Sequence, residues 1–174
     1  MPRPKASPRV TAERRQPSLE AVATDRLSAK QIATKQMDDA CEMLVAAELT
    51  LAGVPAFKLP DNWPGYDVIA QPFDGTPQRI SVKARTFKRG NFVGYDKRDS
   101  FDWLAIVILP AKGCERRRVF ILPRDAADSL GYWTKNRPSG SGYGFRVVKL
   151  VQDLARYENN FRLAREPEST DAPS

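Results

Sequence analysis

Arg79–Arg85 reads RISVKAR, and Tyr66–Ala70 shortly before it reads YDVIA. In an extended strand, successive side chains point to opposite faces. Ile80, Val82 and Ala84 therefore share one face of the first stretch, and Ser81, Lys83 and Arg85 share the other. The first face is core material. The second is a polar row with a lysine at its centre. In the preceding stretch Asp67 stands next to Tyr66 among apolar residues. Between the two stretches Asp74-Gly75 is a hairpin dipeptide, since the tight turn needs residues that tolerate positive φ. A hairpin there brings Asp67 beside Ser81 and Lys83. An acid on one strand and a lysine on its neighbour then address one spot. An ordinary cross-strand ion pair on a solvated sheet face has the same pattern.

Upstream, Ala29–Ala52 contains no Pro or Gly and repeats apolar residues at helical spacing: Met37, Cys41, Leu44 and Leu51, then Val45, Leu49 and Ala52. Gly53 is the expected stop. Val54–Leu59 reads as a short strand. Downstream, Phe87–Phe101 reads as a polar loop, and Trp103–Leu109 (WLAIVIL) as a central strand buried on both faces. Val119–Leu122 is a further strand and Asp125–Leu130 a short helix. Tyr132–Gly144 reads as a Gly-rich loop, Phe145–Val148 as a short strand and Asp153–Arg165 as a closing helix. The expectation is an α/β fold: one domain over residues 29–165 with a mixed β-sheet flanked by helices, between a disordered basic tail (1–28) and a second tail (166–174).

The 174 residues carry a formal charge of +7, which favours an anionic partner, nucleic acid first. No apolar run is long enough to span a membrane. The opening MPRPKASPRV lacks the apolar segment of a secretory signal. Cys41 and Cys114 show no metal or redox spacing. A cytoplasmic protein with no membrane partner and no nucleotide cofactor is expected. The sequence contains no histidine. That excludes Ser-His-Asp and Cys-His triads, HExxH zinc proteases and His-dependent nucleases. Hydrolytic chemistry would have to run on carboxylates, lysine, hydroxyls or a metal held by oxygen.

The span from CEMLVAAELTLAG (41–53) through VPAFKLPDNWPGYDVIA (54–70) to RISVKAR resembles the core of the PD-(D/E)XK, or restriction-endonuclease-like, nuclease superfamily. It is most similar to the branch of Holliday-junction resolvases and Gln-x-Lys homing endonucleases. The resemblance covers about residues 30 to 125 and continues in WLAIVILP and VFILP. It implies a restriction-endonuclease-like sheet and metal-dependent DNA cleavage using Mg²⁺ or Mn²⁺. Residue by residue, Glu42 matches the helix glutamate placed eleven residues before Gly53. Asp67 matches the metal-binding aspartate, and Lys83 the catalytic lysine. The backbone carbonyl of Val82 falls where the family uses one as a metal ligand. Ser81 stands where the family has an acid or Gln, so the metal is expected to bind more weakly. Glu48, in step with Cys41, Leu44 and Leu51, is the alternative helix acid. Many relatives are dimers, so a homodimer is compatible with the resemblance.

Grip on DNA would come from Arg79, Arg85, Lys88, Arg89, Lys97 and Arg98, with Phe87, Phe92 and Tyr95 interleaved. A solvated charged loop is the plainer account of the same residues. Three functions are thus open: a metal-dependent endonuclease, a catalytically degenerate DNA-binding or accessory protein on the same fold, and a basic structural or assembly protein that binds no nucleic acid.

Overall fold

The structure, a computed structural model, describes residues 19–73, 75–137 and 140–166. The chain divides into two units, Met1–Thr34 and Lys35–Ser174. In the first, the backbone is helical from Leu19 onward; the second holds both sheets and the shorter helices. Asp74 and most of the two assigned tails lie outside the described residues.

Helix α1 (Leu19–Leu51) begins well before the expected Ala29, because nothing between Pro17 and Gly53 interrupts a helix. Gly53 ends it at φ +89°. There the Val54 N–H donates to the Leu49 carbonyl at 2.9 Å, a left-handed terminus that glycine accepts without strain. Cys41, Val45, Ala46 and Leu49 form the buried stripe of α1.

The main sheet has five strands: β1 (Ala56–Lys58), β2 (Val68–Ala70), β3 (Gln78–Thr86), β5 (Trp103–Leu109) and β6 (Arg118–Pro123), side by side in that order. Only the β3–β5 pair is parallel, so the sheet is mixed as expected. Strand β5 is buried from Trp103 to Ile108. One face of the sheet packs Val82, Ala84, Ala105 and Val107 against the stripe of α1. The opposite face packs Leu104, Ile106, Ile108 and Phe120 against a second layer.

That second layer corrects two expectations. Phe87–Phe101 is not simply a loop: it contains β4 (Phe92–Asp96). Tyr132–Gly144 is not a loop either: it contains β7 (Tyr132–Arg137) and most of β8 (Gly140–Arg146). These strands form a separate antiparallel sheet, in the order β4-β8-β7. Val93, Tyr95 and Phe145 from its inner face are buried against the main sheet. Helix α2 (Arg124–Leu130) stands close to its expected span. The closing helix does not: α3 spans Val147–Asp153, overlapping the strand expected over Phe145–Val148, and a single 3-10 turn, Ala155–Tyr157, follows it. Val147, Leu150 and Leu154 carry the buried helical spacing. Further on, Asn159 and Leu163 adopt positive φ, which breaks a helix through Arg165. Among the described residues, no helix is long and apolar enough to cross a membrane.

Candidate active site

Asp67 lies immediately before β2 and is pinned by its backbone. Its N–H donates to the Ile80 carbonyl and its carbonyl accepts from the Leu59 N–H, both at 2.9 Å. Its carboxylate turns across to β3. Oδ2 accepts the Val82 N–H at 2.6 Å and the Ser81 hydroxyl at 3.3 Å. The second contact is long for a hydroxyl donor, so the backbone amide does most of the holding. Oδ1 has no hydrogen-bond partner among the described residues. A strand residue's N–H and C=O point to the same side. The Val82 carbonyl therefore faces the gap that Asp67 fills, just beyond the end of the β2–β3 ladder.

Ser81 is buried at 2% exposure and its hydroxyl is directed at Asp67. Its place in this geometry is to orient the carboxylate. Ser81 and Lys83 pair across to Leu104 and Ile106, which puts both on the sheet face opposite α1. Lys83 is half-buried and makes no hydrogen bond or ion pair among the described residues.

Glu42, on α1, is half-buried and forms an ion pair with Lys58 at 3.1 Å. Burial pushes its carboxyl above the usual glutamate range. Lys58 opposes that, and the nearby negative charges of Asp67 and Asp39 add to it. The charges of Glu42 and Asp67 thus act on each other. The lysine that Glu42 meets is Lys58, on the edge strand β1. The Lys58 ammonium also bonds Asp61 at 2.8 Å and lies 3.4 Å from Asp39. Asp61 pairs with Lys35 as well. These two lysines, Lys35 foremost, depress the Asp61 carboxyl to about 2. Carboxylate oxygens of Asp39, Glu42 and Asp61 lie within 4.8 Å of one another, but the Lys58 ammonium already stands among them. Sequence reasoning missed Lys58, Asp39 and Asp61. The one local signal was Asp39 and Glu42 at i, i+3 on a helix, which puts both on one face. Glu48 lies elsewhere on α1, 4.0 Å from the Arg117 guanidinium.

By donor chemistry a divalent cation suits Asp67 Oδ1 and the Val82 carbonyl, hard oxygen donors of the type that Mg²⁺ and Mn²⁺ take. Glu42, paired with Lys58, has a further carboxylate oxygen and feels the charge of Asp67. A buried serine whose hydroxyl is turned to Asp67 adds little to such a set.

The six cations assigned to DNA divide into groups. Arg79 is committed: its guanidinium grips Asp102 through two bonds of 3.0 and 2.8 Å and donates to Ser100 at 2.7 Å. Asp102 also accepts the Arg79 N–H at 2.9 Å, so this pair clamps the start of β3 to the start of β5. Arg98 pairs with Asp96 at 3.0 Å, and Lys97 lies 5.7 Å from the Trp133 ring centre. Arg85 is exposed and donates to the Ala84 carbonyl. Lys88 and Arg89 are exposed and make no ion pair among the described residues. Tyr95 is core, not surface; its hydroxyl donates to Asp128 at 2.7 Å.

No family model and no curated protein matches the chain. Among solved structures, a bacterial homing endonuclease, I-Ssp6803I, superimposes at a TM-score of 0.49 with 14% identity, over 81% of this chain and 99% of that chain.

Proposed function

We propose that the protein is a metal-dependent endonuclease that hydrolyses DNA phosphodiester bonds at the junction of β2 and β3. The observation that carries this reading is the Asp67 carboxylate, held by the Val82 amide at 2.6 Å with one oxygen uncommitted, beside a half-buried lysine with no partner of its own among the described residues. Asp67 and the Val82 carbonyl would hold Mg²⁺ or Mn²⁺, with Glu42 as a further ligand directly or through water. The cation's chemistry there is Lewis acidity, which offsets charge building on the phosphodiester. The Val82 N–H, bonded to Oδ2, keeps the Asp67 carboxylate aimed into the gap. The ammonium of Lys83 is left to meet a phosphate oxygen or to position the attacking water. Net positive charge and the exposed Arg85, Lys88 and Arg89 favour a polyanionic substrate.

One observation favours the second reading, a degenerate DNA-binding protein: Ser81, with no charge to offer a metal, occupies the position of the second acid. Incubating the purified chain with supercoiled and branched DNA in Mg²⁺, Mn²⁺ or EDTA tests both. Cleavage that requires the metal is expected from the wild type. Ser81→Glu adds a ligand and is expected to raise the rate or metal affinity by about 10-fold. Salt-sensitive binding without cleavage, with activity appearing only in Ser81→Glu, would favour the degenerate reading. No cleavage and no low-salt gel shift would leave the structural reading.

A further inference from the structure

The outer face of the second sheet carries a feature that the cleavage site does not use. Val93, Tyr95 and Phe145 point inward to the core, so the alternate residues face out. In the β4–β8 register Phe92 stands opposite Arg146 and Gly94 opposite Gly144; in the β7–β8 register Tyr132 stands opposite Gly144. Gly144 is the floor of this row. A Cβ there would come within 2.3 Å of the Phe92 ring, so the ring lies over the bare backbone of β8. Phe92, Tyr132, Arg146 and Lys149 line a groove of about 360 Å³, room for a nucleotide-sized ligand. A second groove shares Phe92, Arg146 and Lys149 and adds Arg89. Among the described residues, no carboxylate lines either groove. Arg89, Arg146 and Lys149 are all exposed and make no ion pair or hydrogen bond among the described residues.

Three uncompensated cations around two aromatic rings suit one ligand chemistry in particular. Phosphates meet the cations, and bases released from a duplex stack on the rings. A continuous duplex would offer its phosphates but no free base for the rings. An acidic peptide would meet the cations and leave the rings unused. We infer that this groove binds an unpaired stretch of DNA, so that the substrate is DNA with a single-stranded segment. The choice of DNA over RNA rests on the cleavage reading above; the binding itself needs no metal.

The test is fluorescence anisotropy of the full chain in EDTA, with labelled oligothymidylate and a duplex of equal length. Working without metal separates this inference from the nuclease reading, because a chain that binds here but never cleaves sinks only the latter. The single strand is expected to bind more tightly than the duplex. Arg146→Ser with Lys149→Ser should weaken binding at least about 10-fold and reduce the slope of log K against log salt by about 1.4, the share of two phosphate contacts on a single strand. Tyr132→Ala should weaken it about 10-fold and Tyr132→Phe should restore it, as stacking requires. Arg162→Ser, an exposed arginine outside the groove, serves as a control and should change little. A duplex preference, an unchanged Tyr132→Ala, an unaffected charge variant, equal displacement by polyglutamate or tighter binding of oligouridylate would each overturn the inference.

Discussion

Asp67→Asn is expected to reduce metal-dependent DNA cleavage by about a thousand-fold or more while leaving the fold intact. The substitution is nearly isosteric and keeps an oxygen able to accept the Val82 N–H at the 2.6 Å position. What it removes is the negative charge in the gap between β2 and β3. That charge is what would hold a divalent cation, and losing one preorganised electrostatic element of a site costs about 10²- to 10³-fold alone. Losing the cation as well costs its whole Lewis-acid contribution. Lys83→Met is expected to have an effect of similar direction for a different reason. Its ammonium has no ion-pair partner among the described residues, so the substitution breaks no structural bridge and its effect falls on catalysis. Cleavage rates under single-turnover conditions, paired with a thermal melt of each variant, provide the check. Asp67→Asn that melts normally and cleaves like the wild type would remove Asp67 from the chemistry.

Gly144→Val is expected to destabilise the protein by about 3 kcal/mol, lowering Tm by on the order of 10 °C. A Cβ at this position would lie 2.3 Å from both the Phe92 ring and the Val93 carbonyl oxygen. The ring could swing away, but the carbonyl belongs to the neighbouring strand β4 and can yield only by bending the sheet. Inward of this row lie Val93, Tyr95 and Phe145, which seal the core against the main sheet, so the distortion reaches packed side chains. Gly90→Ala is the contrasting case. Gly90 has φ +88°, and a methyl group there would meet no atom within 4 Å, so its cost is backbone strain alone, about 1 kcal/mol. Denaturant or thermal unfolding of the two variants checks the order; a Gly144→Val protein as stable as Gly90→Ala would contradict the packing described.

The main sheet is legible in the sequence because its strands bury residues continuously or alternately. WLAIVIL, for instance, leaves no room for another element, and β5 matches it from Trp103 to Leu109. The second sheet is hidden by its glycines. In FVGYD (92–96) and GYGF (142–145) the inward residues do alternate, but the outward ones, Phe92 apart, are glycine or charged, and such segments read as turns. The closing helix is misplaced in a sequence reading because the apolar spacing of Val147, Leu150 and Leu154 spans what looks like a strand and a linker. At the site, alternation alone brings Asp67 to Ser81. It cannot show that Ser81 is buried and turned to the carboxylate, since that depends on the opposing layer. Lys58 is out of reach for a related reason: its partners Asp39, Glu42 and Asp61 come from a helix and a turn on either side of it, and no single-strand pattern joins them.

Whether a divalent cation binds beside Asp67 can be seen by anomalous scattering from crystals of the wild-type protein soaked in Mn²⁺. A peak is expected at the β2–β3 gap, about 2.1 Å from Asp67 Oδ1 and near the Val82 carbonyl, as a hard octahedral cation requires. A peak only among Asp39, Glu42 and Asp61 with Lys58 displaced, or no peak within reach of Asp67, would contradict the proposed metal site.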